Sequence, residues 1–293
     1  MLETYEYHRP ADLEEACRLL EDLPQPQLLA GGTDLLYDID AGLRKAQHVV
    51  SLQDVRELQG IDEADDHVAI GAGCTAREIH ASPIIEKRFP EIAEMVVTFA
   101  SPQIRTRATV AGNICSAVPC GDFPVILMAL GASIELVSAA ARRKVALADF
   151  FTGPRETLRK KNELLARILV PVKQPRSGSC FMKYQRRASN SLAVASVASF
   201  VRIDGGLCRE ARVVLGAVAP IPLLAKTAGA ALVGQRWNED TVARAAGMAR
   251  DDAQPITDVR GTEKFRRHLV HVLTGRTLRR AAERAGALTN AGA

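Results

Sequence analysis

Residues 28–36 read LLAGGTDLL: an apolar run, two glycines, then Thr33 and Asp34 ahead of a second apolar pair. The run 27–30 predicts a short buried strand, and Thr33 and Asp34 the polar start of a helix. Glycines at such a turn let the main chain approach a ligand closely, and the N–H groups at a helix start favour a phosphate. Taken alone, the pattern reads better as structural punctuation. A second stretch, TVAGNI at 109–114, repeats the chemistry with a hydroxyl, a small-residue pair and an amide side chain. Two such loops, remote in sequence, can grip one pyrophosphate from opposite sides. Neither is a P-loop, because no Lys-Ser or Lys-Thr follows, and IGAG at 70–73 lacks the third glycine of a Rossmann turn.

Outward from the first loop, residues 1–55 alternate an amphipathic helix near 13–20, the strand, a helix from about Asp34 and a strand at 48–52. This predicts a compact α/β unit with a mixed sheet. A second unit opens with a strand at 67–73 and with Thr75, a helix N-cap whose capping box is completed by Glu78. A helix from Pro90 to about Ala100 precedes residues 101–122, rich in Gly, Pro, Thr and Asn and without periodicity. A stretch of that length is either functional or disordered, and its apolar content without Lys or Glu points to function. Residues 123–132 read as a buried helix, and 133–139 and 163–172 as strands. The linker KQPRSGS at 173–179 marks a domain boundary. Beyond it lie antiparallel strands, with a hairpin at Asp204, Gly205 and Gly206, then helical patterns over 222–232, 238–252 and 261–285.

The 293 residues, 47% of them hydrophobic, suffice for about two domains. Charged residues make up 25% with both signs interspersed, leaving a net charge of +4 that gives no mandate for nucleic acid. Arg266, Arg267, Arg276, Arg279, Arg280 and Arg284 fall at helical spacing and read as a solvated face; with 4% aromatic residues there is no stacking platform. The N-terminus lacks the signature of a signal peptide and no run of about 18 apolar residues occurs, so a cytoplasmic protein is expected. Six cysteines, without a CxxC pair, read as reduced thiols. Cys115 and Cys120 are the one close pair, a weak metal signal, and no metal site is expected. His8, His48, His67, His80, His268 and His271 read as surface or core histidines, and no proton-transfer residue is assigned.

The ordered set AGGTDL, IGAG followed by Thr, QIRTRATVAGNI, PCGDFPVILMALGA, FMKYQRR and PITDVRGTEKFRRHL resembles the FAD-binding subunit of the xanthine dehydrogenase and carbon monoxide dehydrogenase family, from about Tyr7 to Ala285. The resemblance implies an α+β fold. A FAD-binding domain of vanillyl-alcohol-oxidase type would span 1–175 as two α/β subdomains, about 1–55 and 56–175, with a C-terminal domain of antiparallel strands and helices over 176–290. It also implies FAD wrapped by Gly31, Gly32, Thr33 and Asp34, flanked by Leu29, Ala30 and Leu35, and by Thr109, Ala111, Gly112 and Asn113. Asp122 matches an acidic residue that bonds the nucleotide portion, Lys183 a basic residue of the flavin pocket, Phe99 an aromatic ring near the flavin and Leu165 an apolar wall. From the residues alone, Phe99 and Leu165 read as core and Asp122 as a helix N-cap.

Three positions depart from the family pattern. Ala111 replaces a glycine of the second loop, Thr106 stands where Asn is usual, and Asn190 where many relatives have Asp. A methyl at 111 is tolerated if φ is negative but limits close approach to a phosphate, and the neutral Asn190 changes the field around a flavin. The resemblance further implies an iron–sulfur small subunit with [2Fe–2S] clusters, a molybdopterin-binding large subunit, NAD+ as one acceptor and a dimer of heterotrimers. Two other readings stand beside it: a nucleotide-binding accessory subunit without turnover, and a stand-alone NAD(P)H flavin reductase.

Overall fold

The computed structural model describes residues 4–187 and 190–287. Its first unit is a three-stranded sheet of order β1-β3-β2, built from β1 (Glu6–His8), β2 (Gln27–Leu29) and β3 (His48–Ser51). Helix α1 (Leu13–Asp22) links β1 to β2, and α2 (Leu35–Asp40) links β2 to β3. Helix α1 buries Leu13, Ala16, Cys17 and Leu20, the i, i+3, i+4, i+7 stripe of an amphipathic helix, and starts at Asp12, which accepts from Glu15 N at 2.8 Å. Both strand pairs are parallel, which corrects the mixed sheet expected from the sequence. Each helix returns the chain to the starting edge of the sheet, and a crossover of that kind makes parallel neighbours.

The second unit is a five-stranded antiparallel sheet of order β4-β5-β10-β6-β7. Its strands are β4 (Ile61–Glu63), β5 (His67–Gly71), β6 (Ser133–Val137), β7 (Arg142–Ala146) and β10 (Leu164–Pro171), and a small hairpin, β8 (Phe151–Gly153) with β9 (Glu156–Thr157), precedes β10. Between β5 and β6 run α3 (Ala76–Ala81), α4 (Pro83–Arg88), α5 (Pro90–Thr98), α6 (Pro102–Arg105), α7 (Val110–Cys115) and α8 (Asp122–Ala129). Thr75 caps α3 with the capping box read from the sequence. The stretch expected to lack regular structure holds α6 and α7, of 4 and 6 residues, too short to express a helical period.

The third unit is a sheet of order β11-β12-β13-β14, from β11 (Ser177–Gln185), β12 (Ala193–Asp204), β13 (Leu207–Gly216) and β14 (Leu223–Leu224). All its pairs are antiparallel, and β12 and β13 meet in the expected Gly-Gly hairpin. It is followed by α9 (Lys226–Ala230), α10 (Glu239–Asp252) and α11 (Glu263–Arg284). Strand β12 is buried on both faces. Ala198 and Phe200 join a core that runs through the first two units, whereas Val197, Val201 and Ile203 pack in a second core with Leu269, Val270 and Leu273 of α11. One face of the third sheet therefore lies against α8 and the other against α11.

Arg276, Arg279 and Arg280 are exposed, as a solvated face requires, but Arg266 and Arg284 do not belong to that face. Arg266 is buried and donates to Val194 O and Ala217 O, both at 2.8 Å, and to Asp258 Oδ1 at 2.6 Å. Arg284 reaches Ser179 O at 2.8 Å and pairs with Glu94. Arginine stems follow the apolar face of a helix and bring the guanidinium to carbonyls at its edge, so periodicity alone does not separate such ties from surface charge.

Candidate functional site

A cleft of about 920 Å³ lies where the first two units face β11, near the upper end of the range for small-molecule sites, roughly 300–1,000 Å³. Of the residues matched by family resemblance, Ala30, Gly31, Gly32, Thr33, Asp34, Leu35, Phe99, Thr109, Ala111, Gly112, Asn113, Asp122, Leu165 and Lys183 all line it. Thr106 and Asn190 do so as well. Leu29 does not: it is buried in a small core with Leu35, Ile39, Ala46 and Val49, and it supports the loop from behind.

The two loops meet directly. A Cβ on Gly31 would stand 1.9 Å from Arg107 O and 3.1 Å from Ala108 Cα, so only a glycine lets the first loop lie against the backbone that enters the second. Gly32 takes φ +77, the left-handed conformation that turns the chain from β2 into α2. Ser116, at the end of α7, donates its hydroxyl to Asp34, and Arg155 donates to the buried Asp38 of α2 at 2.9 Å. The second loop is pinned in turn to the end of β5, with Ala76 N donating to Ala108 O at 2.9 Å and Val110 N to Cys74 O at 3.0 Å.

The donors that the loops present differ from the expectation of two free amide nests. In the first loop, the amides stand at the start of α2, ahead of any intrahelical acceptor, and Asp34 makes no side-chain cap bond to them. In the second, Thr109 is the N-cap of α7, and the amides are already engaged. Gly112 N donates to Thr109 Oγ1 at 3.1 Å, Asn113 N to Thr109 O at 3.0 Å and Ala111 N to Ala72 O at 3.4 Å. What remains for a ligand is the hydroxyl proton of Thr109 and the Nδ2 of Asn113, whose Oδ1 accepts from Phe123 N at 3.3 Å. Ala111 is absent from the residues with positive φ, so its methyl costs no backbone strain.

Across the cleft, Lys183 of β11 donates to Asp122 Oδ2 at 2.6 Å, with 2% and 5% of the two side chains exposed. Asp122 is the first residue of α8 and Gly121 its N-cap, so Asp122 does not cap the helix. Burial raises its carboxyl above the usual carboxylate range, against the pull of Lys183. Its second oxygen, Oδ1, is buried without a hydrogen-bond partner among the described residues. An orphaned acceptor on a cleft wall is a cost that a ligand donor removes.

Phe99 packs edge-on against Phe123 with ring centroids 5.5 Å apart. A register shift in β10 between Leu165 and Arg167 aims Leu164 and Leu165 at the cleft, the re-aiming that a bulge produces. Ala100, Arg155 and Asn190, all on the wall, hold φ values of 44°, 62° and 49°, backbone strain that collects at ligand sites. Cys115 and Cys120 also line the cleft. Burial pushes the Cys115 thiol up to about 11 and raises that of Cys120, so both are poor metal ligands.

Sequence reasoning missed Arg107, Arg155 and Arg159 on the wall. Neither Arg107 nor Arg159 has an ion-pair partner among the described residues, and their charge suits an anionic ligand. Scattered arginines carry no spacing signal, and only the fold gathers them.

Residues 3–173 match the family model described as FAD binding domain in molybdopterin dehydrogenase, and residues 179–281 that of CO dehydrogenase flavoprotein C-terminal domain. The carbon monoxide dehydrogenase medium chain of Afipia carboxidovorans is 34% identical over 285 residues, 97% of each chain. The xanthine dehydrogenase FAD-binding subunit of Escherichia coli O157:H7 is 30% identical over 98% of this chain and 99% of that one. A solved carbon monoxide dehydrogenase of Hydrogenophaga pseudoflava, which lacks the Mo-pyranopterin moiety of its molybdenum cofactor, superposes with a TM-score of 0.94 at 33% identity, covering 97% of this chain and 99% of that one. No helix among the described residues is long and apolar enough to cross a membrane. The cleft, the two matched domains and these relatives together show that the chain belongs to the FAD-binding subunits of the molybdopterin dehydrogenases, a family of oxidoreductase components.

Proposed function

We propose that this chain is the electron-transfer subunit of a molybdenum-cofactor hydroxylase or dehydrogenase, holding FAD in the cleft between the two loops. The chemistry supplied by the bound group is electron transfer, from [2Fe–2S] clusters of a partner subunit to an acceptor such as NAD+. In this reading the first-loop amides at Gly31, Gly32, Thr33 and Asp34 take the diphosphate, flanked by Ala30 and Leu35, with Leu29 bracing the turn from the core. Thr109 and Asn113 add side-chain donors, and Ala111 and Gly112 keep that wall low. Phe99 and Leu165 give apolar surface to the ring system. Lys183 orients Asp122 so that its Oδ1 accepts from a ligand N–H or O–H.

The observation that carries this reading is the buried, unpartnered Asp122 Oδ1 on the wall of a cleft made by two touching glycine loops. The relatives are named as medium chains or FAD-binding subunits, which supports companion chains. We infer an iron–sulfur small subunit, a molybdopterin-binding large subunit and a dimer of heterotrimers. A first domain of vanillyl-alcohol-oxidase type over 1–175 and a C-terminal domain over 176–290 are in keeping with the separate sheets on either side of residues 172–176. The cysteines, unpaired among the described residues, favour a cytoplasmic location.

Purified full-length chain tests the proposal. It should carry one FAD per chain, and Asp122→Ala should lower the FAD content while the protein stays folded by circular dichroism. Wild-type protein that is colourless and gains no flavin on incubation with FAD would sink the cofactor assignment. Bleaching by NADH would show redox competence, and co-purification with iron–sulfur and molybdenum subunits would separate the electron-transfer subunit from the stand-alone reductase.

A further inference from the structure

On the far side of the first sheet from α2, Glu6, His8 and His48 bring one carboxylate and two imidazoles together within 4.8 Å of one another. The backbone dictates this. Strands β1 and β3 pair in parallel with Glu6 opposite His48, and Glu6 and His8 are two residues apart, so all three side chains leave the same face. Glu6 N donates to Gln47 O at 2.8 Å and fixes that register. The imidazole rings are tilted by 46° and do not stack, which turns His8 Nε2 and His48 Nδ1 towards one another at 3.2 Å.

The distances are within reach of a metal site. Metal–nitrogen and metal–oxygen bonds of about 2.0–2.2 Å in a tetrahedron put neighbouring ligand atoms about 3.3–3.5 Å apart. The three edges here are 3.2 Å between the imidazoles, 3.4 Å from His48 Nδ1 to Glu6 Oε2 and 3.9 Å from His8 Nε2 to Glu6 Oε1. The last two distances end on different oxygens of Glu6, so the carboxylate must turn to bring a single oxygen to both imidazoles; one ligand atom from each residue already lies within 4.8 Å of the others, and the Glu6 side chain is 65% exposed and free to rotate. The imidazoles, 15% and 17% exposed, are held by the sheet, so the two soft-edge donors are preorganised and the hard donor swings in. Two imidazoles and a carboxylate with a fourth position open to water form a donor set that zinc and its divalent neighbours take.

We propose that Glu6, His8 and His48 bind one divalent transition-metal ion, zinc in the first instance, and that the ion clips the three-residue edge strand β1 to β3. The site is separate from the cleft, whose lining includes none of the three ligands, and the proposal stands whether or not FAD binds as described above. The clip would matter because, among the described residues, β1 pairs only with β3 and has three residues through which to hold the start of the fold in register.

The test is titration of chelator-treated, full-length chain with Zn2+, read by calorimetry and by thermal unfolding, with Co2+ as a spectroscopic reporter of a tetrahedral nitrogen and oxygen site. Wild type should take up one equivalent with micromolar or tighter affinity and unfold at higher temperature with the metal bound. Glu6→Gln, at an exposed position that cannot endanger the fold, should weaken binding by about tenfold or more. The double variant His8→Gln/His48→Gln should abolish uptake. The proposal is overturned if zinc does not bind below millimolar concentration, which would leave the imidazoles as a hydrogen-bonded pair. It is equally overturned if uptake survives in the double variant, which would place the ion on other groups such as the thiols.

Discussion

Replacing Gly31 by alanine tests the contact on which the site is built. The added Cβ would lie 1.9 Å from Arg107 O, where carbon and oxygen need about 3.3 Å, so the loops must part by roughly 1.4 Å. The obstacle is backbone, and it is tied down. Ala108 N bonds Ile104 O at 2.7 Å and Ala108 O accepts from Ala76 N at 2.9 Å, so the second loop has little freedom to retreat. The first loop must move instead, stretching the 2.8 Å bond from Leu52 N to Leu29 O and the Ser116–Asp34 contact beyond useful length. Overpacking and the loss of these bonds together should cost about 2–4 kcal/mol of stability. Each charge-assisted bond between a displaced amide and a diphosphate is worth about 1.5–3 kcal/mol, so FAD affinity should fall roughly 10- to 150-fold. The assay is flavin content of the purified variant, followed by fluorescence titration of the apoprotein with FAD. Gly247→Ala serves as a control, since a Cβ there meets nothing within 4 Å; it should stabilise α10 slightly and leave FAD binding alone. A Gly31→Ala protein that binds FAD within about twofold of wild type would refute the loop contact as a determinant of binding.

Lys183→Met should cost about 3–5 kcal/mol, because it leaves the Asp122 carboxylate buried without a counter-charge, and Lys183→Met/Asp122→Asn should recover most of that in denaturant melts. Additive losses in that cycle would contradict a coupled pair. Arg143 donates to Glu163 at 2.7 and 2.8 Å and, chiefly through those bonds, holds its carboxyl below the ordinary 4.5. A depressed carboxylate stabilises the fold above its unfolded pKa and loses that contribution as pH falls through the folded value. Glu163→Gln should therefore lower stability by about 1–3 kcal/mol at neutral pH and little in strong acid, and a gap in Tm that persists there would count against the argument. Asn190→Asp would add a negative charge on the cleft wall and oppose electron uptake, lowering the flavin midpoint potential by on the order of tens of millivolts. An unchanged or raised potential in a spectroelectrochemical titration would remove Asn190 from the flavin's surroundings.

Residues carrying a local signal were legible in the sequence. The stripe of α1, the capping box at Thr75 and Glu78, the hairpin at Gly205 and Gly206 and the strand β10 each depend on neighbours a few positions away, and each stands within a residue or two of its predicted place. Strands β1, β4, β8 and β9, of two or three residues, were invisible because they are shorter than the four to eight residues over which alternation shows; β2, no longer, was found by its apolar run before the Gly-Gly turn. Ala111 illustrates the limit at the site itself. Its substitution for glycine looked like a weakened phosphate grip, yet its amide is engaged with Ala72 O, a partner nearly forty residues away that no motif indicates.

By itself the sequence determined the two glycine turns, their order along the chain and the longer helix and strand segments around them, since these follow from local sterics and from apolar periodicity. Tertiary structure alone decided that Gly31 lies against Arg107, that Lys183 crosses from the third sheet to neutralise Asp122, and that His8 and His48 share one face of a parallel pair. Those contacts join residues that chain distance separates. They are set by which surfaces must be buried together, a property of the whole packed molecule that no short stretch of residues encodes.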